Sequence, residues 1–242
     1  MSEQLQRRLT SALEQTAESY GPGLFGLVCE GDRVVFAGSA GVADLDCPRP
    51  IALGDRFRIG SVTKVYVATT LLQLVDEQIV ALSDPVAKWL PDLIPAGDEI
   101  TVEMLVRMRS GLPEYVEALF GSPPDIGVLY RYWSPESLVE TALRVDDRRP
   151  PDSEYRYCNT DYVLLGLIIE KATRQSLEAQ LWQRIFAPLY LHDTSFPTVD
   201  PQVPGAPCDG VRVAGPHVAV SGMHDDHTVG VVEHRRHRVD TA

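Results

Sequence analysis

The sequence predicts an α+β protein in which helix outweighs strand. Three observations carry this prediction. A helical pattern opens the chain, two β-prone runs follow it, and from residue 61 onward helical patterns recur, ending in strongly apolar ones.

Taken in order, residues 3–19 place Leu5, Leu9, Leu13 and Ala17 four apart, which is the spacing of one helix face. Gly21-Pro22-Gly23 stops that helix. Leu24 to Glu30 and Arg33 to Ala37 are apolar and β-prone, and Gly31-Asp32 between them predicts a hairpin. A polar connection from Asp44 to Asp55 leads to Phe57-Arg58-Ile59-Gly60 and then to a long helical run from Ser61 through Val75. Ser83-Asp84-Pro85 opens a further helical turn that closes at Trp89-Leu90-Pro91. Residues 101–109 predict a short helix with Thr101 as cap and Glu103 in its first turn, ended by Ser110-Gly111-Leu112-Pro113. Residues 121–156 are rich in Pro, Asp and Arg and read as loop with helical pieces. Asp161 to Thr173 predicts a buried helix, and residues 176–187 one more. From about Asp200 apolar periodicity fades, which divides the chain into a domain over 1–200 and a divergent tail over 201–242.

Composition bounds the function. The 242 residues suffice for one core or two lobes sharing an interface, and 44% apolar with 23% charged residues describes a globular protein. A formal net charge of −12 argues against nucleic acid and against anionic membrane surfaces as partners. The four cysteines, Cys29, Cys47, Cys158 and Cys208, form no C-x-x-C pair, so neither a zinc knuckle nor a redox dithiol is expected. The start, Met1-Ser2-Glu3-Gln4-Leu5-Gln6-Arg7-Arg8, has no apolar leader region, and no run approaches the roughly 20 apolar residues of a membrane span. The expected location is the cytoplasm.

Two short strings are able to carry chemistry. In Ser61-Val62-Thr63-Lys64, a serine that opens a helix has the lysine one turn on and on its own face. There an amine can take the hydroxyl proton, while backbone N–H groups at the helix start favour developing negative charge. On its own the string is a weak signal and fits better a capping serine followed by a surface lysine. The second string is Tyr157-Cys158-Asn159, just before the apolar helix. A phenol beside a lysine can act as general acid or base, and an asparagine amide both donates and accepts. Its structural alternative is a loop tyrosine with a helix-capping asparagine.

Together, Ser61-x-x-Lys64 and Tyr157-x-Asn159, each at a helix start, resemble the serine β-lactamase and D-alanyl-D-alanine carboxypeptidase family of penicillin-binding proteins, closest to class C β-lactamases and their esterase and peptidase relatives. Phe57 to Lys64 is similar to the family's nucleophile segment. Leu82-Ser83-Asp84-Pro85-Val86, Ile100-Thr101-Val102 with Ser110-Gly111-Leu112-Pro113, Leu164-Leu165-Gly166 and Pro188-Leu189 with Asp193-Thr194 extend the likeness over roughly residues 5–200. The resemblance implies a two-lobed fold, one lobe mainly helical and carrying both motifs, the other an antiparallel sheet flanked by helices. It implies acyl transfer on a small ester, amide or β-lactam without a cofactor. Ser61 would attack, Lys64 and Tyr157 would share the proton traffic, Asn159 would hold the substrate, and the Ser61 backbone N–H would serve as one oxyanion donor.

The sequence departs from the family after residue 200. The third motif, Lys/His-Thr/Ser-Gly on an inner strand, has no clear counterpart; the nearest string is His227-Thr228-Val229-Gly230. The expectation is therefore a C-terminally truncated or divergent member with an incomplete sheet. A partly uncovered sheet favours self-association. A second expectation follows, that of an inactive relative that binds ligand or partner without turnover. Arg174 and Tyr190-Leu191 stand where relatives carry a helix-ending Gly and a Gly-Met. His224-x-x-His227 and His234-x-x-His237 read as a solvated basic tail and not as a metal site.

Overall fold

The computed structural model describes residues 2–20, 22–43, 48–121, 123–125, 127–128 and 131–198. The expected domain boundary near residue 200, the tail, the His227-Thr228-Val229-Gly230 string and both histidine pairs lie outside the described residues.

The described residues fall into two compact units, one built from residues before Ile59 and the other from Ile59 onward. In the first, α1 (Glu3–Tyr20) is followed by β1 (Gly23–Glu30) and β2 (Arg33–Gly41), paired antiparallel with a bulge between Val28 and Cys29. The predicted turn is there, with Gly31 at φ 59°. Leu9, Leu13 and Ala17 form the part-buried stripe of α1, while Leu5 is exposed. Leu13 sits over Gly26 and Gly38, where an added Cβ would come within 3.2 and 3.3 Å of its methyl carbons. The ring of Phe25 stacks on Phe57 with centroids 4.8 Å apart. Among the described residues the sheet has these two strands.

The second unit is helical. A 3₁₀ turn (Gly60–Val62) runs into α2 (Thr63–Asp76), followed by α3 (Val86–Trp89), α4 (Val102–Val106) and α5 (Val116–Phe120). Then come α6 (Pro135–Leu143), α7 (Asn159–Thr173) and α8 (Leu177–Leu181), which continues as a π-helical turn (Trp182–Phe186). Helix α7 is central and touches α2, α3, α4, α6 and α8. Its residues 164–169 are all buried, as expected of a helix that is apolar on every side. Leu71 and Leu74 of α2, Leu105 of α4 and Leu181 of α8 complete that core, each with no exposed surface. A smaller cluster around Tyr115, Leu119 and Leu138 joins α5 to α6.

Helix α6 is one of the helical pieces expected within 121–156; Ser134 caps it by accepting the Ser137 N–H, and Pro135 occupies the first turn, where it needs no partner for a missing N–H. Two boundaries differ from the sequence expectation. Helix α4 ends three residues earlier than expected, because Met108 turns left-handed at φ 52° and Arg109 N–H closes back on the Met104 carbonyl. Helix α7 begins two residues earlier, at Asn159 itself.

Candidate active site

Four sequence-selected residues come from two places in the helical unit. Gly60 adopts φ 53°, a left-handed conformation open to glycine, and this turns the chain sharply into the 3₁₀ turn that carries Ser61. In a 3₁₀ turn residues three apart eclipse one another. Lys64, in the first turn of α2, therefore stands over Ser61, and its Nζ donates to Ser61 Oγ at 3.2 Å. The surface-lysine alternative fails, since Lys64 is 7% exposed.

The second pair arrives from residues 96 and 98 positions further on. Tyr157 Oη lies 2.6 Å from Ser61 Oγ. Lys64 Nζ is 5.0 Å from the Tyr157 ring centroid and 5.8 Å from that of Tyr162, which holds the amine between two aromatic faces. Hydroxyl, amine and phenol thus form one hydrogen-bonded cluster, open to solvent on the side of Ser61 and Tyr157. Asn159 is 6% exposed, and its amide oxygen has no hydrogen-bond partner among the described residues. It does not cap α7; the N-cap residue is Cys158, with no side-chain cap bond.

The α7 start is instead satisfied from the segment after α4, a role that sequence reasoning missed. Glu114 accepts the Asn159 N–H at 2.6 Å on one carboxylate oxygen and the Val116 N–H at 3.1 Å on the other. A negative group at the starts of α5 and α7 also suits their dipoles. Thr160 Oγ1 donates to the Pro113 carbonyl at 2.7 Å. Ser110 Oγ donates to Asp161 Oδ1 at 2.5 Å and accepts the Leu112 N–H at 3.0 Å. Gly111, at φ 74°, lets a third segment pack against this one, because a Cβ there would stand 2.1 Å from the Arg149 carbonyl oxygen. Residues 110–114 and 158–161 are thereby laced together, which sets where Tyr157 and Asn159 point. The sequence signal available was an acid directly after Ser-Gly-Leu-Pro and an Asp in the first turn of an apolar helix.

Asp161 is fully buried, and its second carboxylate oxygen has no partner among the described residues. Burial pushes its carboxyl up to about 8, helped by the nearby Glu114 charge and opposed by the bond from Ser110. Burial likewise pushes the Cys158 thiol up, so the residue between Tyr157 and Asn159 is an inert packing group. Among the described residues no cluster of His, Cys, Asp and Glu is arranged to hold a metal, and no helix is long and apolar enough to cross a membrane.

Comparison with known proteins decides the family. The β-lactamase family model matches residues 9–228. The chain belongs to the β-lactamase family. Within it, the chain is 29% identical to penicillin-binding protein 4* of Bacillus subtilis over 168 residues, 69% of this chain and 36% of that protein. It is 28% identical to esterase EstB of Burkholderia gladioli over 190 residues, 74% of this chain and 48% of that protein. Among solved structures, a D-stereospecific amidohydrolase from Streptomyces sp. superposes with a TM-score of 0.78 at 29% identity, covering 94% of this chain and 69% of that one. D-amino acid amidase from Ochrobactrum anthropi SV3, complexed with D-phenylalanine, gives a TM-score of 0.75 at 26% identity, covering 96% and 68%. The fold class is accordingly the β-lactamase/transpeptidase one, as the resemblance implied. This family member spans about a third to a half of the length of these two curated relatives.

Proposed function

We propose that this chain is a serine hydrolase that works through an acyl-enzyme on a small ester, amide or β-lactam. The observation that carries the reading is the cluster in which Ser61 Oγ meets Lys64 Nζ at 3.2 Å and Tyr157 Oη at 2.6 Å. Ser61 Oγ attacks the carbonyl carbon while its proton passes to the Lys64–Tyr157 pair. The bond to the leaving group breaks, and the same pair returns the proton to that group. Water then adds to the acyl-enzyme, the acid departs and Ser61 regains its proton. Asn159 holds the substrate, and the Ser61 backbone N–H is one donor to the oxyanion. No step calls for a cofactor. The relatives' names (penicillin-binding protein, esterase and amidohydrolase) support the three substrate classes together and do not favour one.

The test is intact-protein mass after incubation with a penicillin and, separately, with a fluorophosphonate, on the native chain and on Ser61→Ala. One covalent adduct on the native chain that is absent from the variant is expected. A folded native chain that gains no mass from either reagent overturns the proposal in favour of a non-catalytic relative.

A further inference from the structure

Behind the cluster, a cavity of about 220 Å³ runs along one face of α7. Asn159, Tyr162/Val163, Gly166/Leu167 and Glu170 recur on that face at helical spacing, so the cavity extends for roughly 16 Å of helix at about 1.5 Å per residue. Val67 of α2, Leu177 of α8 and Phe196 supply apolar walls opposite. Lys64 and Asn159 form one end, and Lys64 is itself hydrogen-bonded to Ser61. The space therefore begins one side chain away from the nucleophile.

Two features mark it as a place for a ligand. An apolar cavity of about 150 Å³ is enough to hold benzene, and this one is larger. At its polar end the buried Asn159 amide oxygen has no partner among the described residues, whereas buried polar atoms are nearly always paired. The opposite side of the cluster has the contrary character. Ser61 and Tyr157 face solvent, with Tyr157 45% exposed. A leaving group must take a proton and diffuse away, which suits the open Tyr157 side. The acyl part stays on Ser61 until water releases it, which suits the apolar cavity beyond Lys64 and Asn159.

We propose that this cavity binds the acyl portion of the substrate, and that the preferred substrates are esters or amides whose acyl group ends in an apolar substituent of about phenyl size. This rests on the serine-hydrolase reading above and specifies its substrate. The reaction is unchanged: the acyl carbon bonds to Ser61 Oγ, the leaving group departs with the proton, and water restores the serine.

The experiment keeps the leaving group constant. p-Nitrophenyl acetate, butyrate, phenylacetate and 3-phenylpropionate are compared by kcat/KM, each corrected for its rate with hydroxide. Burial of the phenyl group predicts a rise of roughly 10- to 100-fold from acetate to the better phenyl ester. Val163→Phe, which fills the cavity, should lower that ratio by about tenfold or more. Leu177→Ala, which enlarges it, should move the optimum to a longer phenylalkanoate. Acetate cleaved as well as the phenyl esters by the native chain overturns this inference and leaves the hydrolase reading intact. A selectivity that neither variant alters also overturns it. No turnover of any ester, together with no label on Ser61, overturns both.

Discussion

Asp161 makes the stability of the helical unit depend on pH in an unusual direction. Its carboxyl moves from an ordinary 3.8 to about 8 because burial penalises the charge. A raised acid is held protonated in the folded state, so its contribution is fully present below about pH 4. That contribution is lost progressively as pH climbs to about 8. At about 1.4 kcal/mol per pH unit, the interval from pH 5 to pH 8 removes at most about 4 kcal/mol. Asp161→Asn keeps an oxygen to accept the Ser110 hydroxyl and cannot ionise, but it places an amide N–H₂ where the second oxygen has no partner among the described residues. The protonated carboxyl of the native chain carries its own O–H donor at that same position, so the exchange itself changes little while the acid is protonated. The variant should therefore gain stability relative to the native chain as pH rises from 5 to 8, by at most about 4 kcal/mol. Urea unfolding followed by tryptophan fluorescence reports on the right unit, because Trp89, Trp133 and Trp182 all belong to it. Comparing the two proteins at each pH cancels the titration of every other carboxylate. A native-minus-variant difference that stays constant within about 0.5 kcal/mol from pH 5 to pH 8 would refute the argument.

Further expectations concern the frame around the cluster. Glu114→Ala removes both acceptors for the part-buried Asn159 and Val116 N–H groups, and a loss of at least about 2 and at most about 6 kcal/mol in urea unfolding is expected at roughly 1–3 kcal/mol per donor left unpaired; Glu114→Gln, which keeps one oxygen, should lose about half as much. Arg174→Gly and Tyr190→Gly should each raise stability by up to about 1 kcal/mol, because both residues sit at positive φ (58° and 56°) in exposed positions where L side chains are strained. A fall in melting temperature for either glycine variant would show that side-chain contacts outweigh the backbone strain.

The local features of this chain were legible in its residues because they depend on neighbours a few positions away. The four-residue spacing of Leu9, Leu13 and Ala17 recurs as the inward stripe of α1, and Gly31 makes the hairpin turn. The Ser61-x-x-Lys64 contact is set by one helical turn. Arg174 and Tyr190, where the resemblance implied glycine, take left-handed φ, as do Gln78, Asp92, Ala96, Met108 and Asp152. The signal for α6, Ser134-Pro135-Glu136, was present, and the surrounding Pro, Asp and Arg residues obscured only its bounds.

What the tertiary structure alone decided is how distant segments meet. Tyr157 reaches Ser61 across 96 positions, Glu114 serves the start of α7 from 45 positions away, and Ser110 meets Asp161 across 51. The helix-cap alternative for Asn159 fails, because the carboxylate that satisfies the helix start comes from another loop. The burial that raises Asp161 and the cavity along α7 are likewise products of packing between helices. Periodicity and motif spacing encode which face a side chain occupies on its own element. They do not encode which other element closes over that face, since that depends on the free energy of burying surfaces that are remote in sequence.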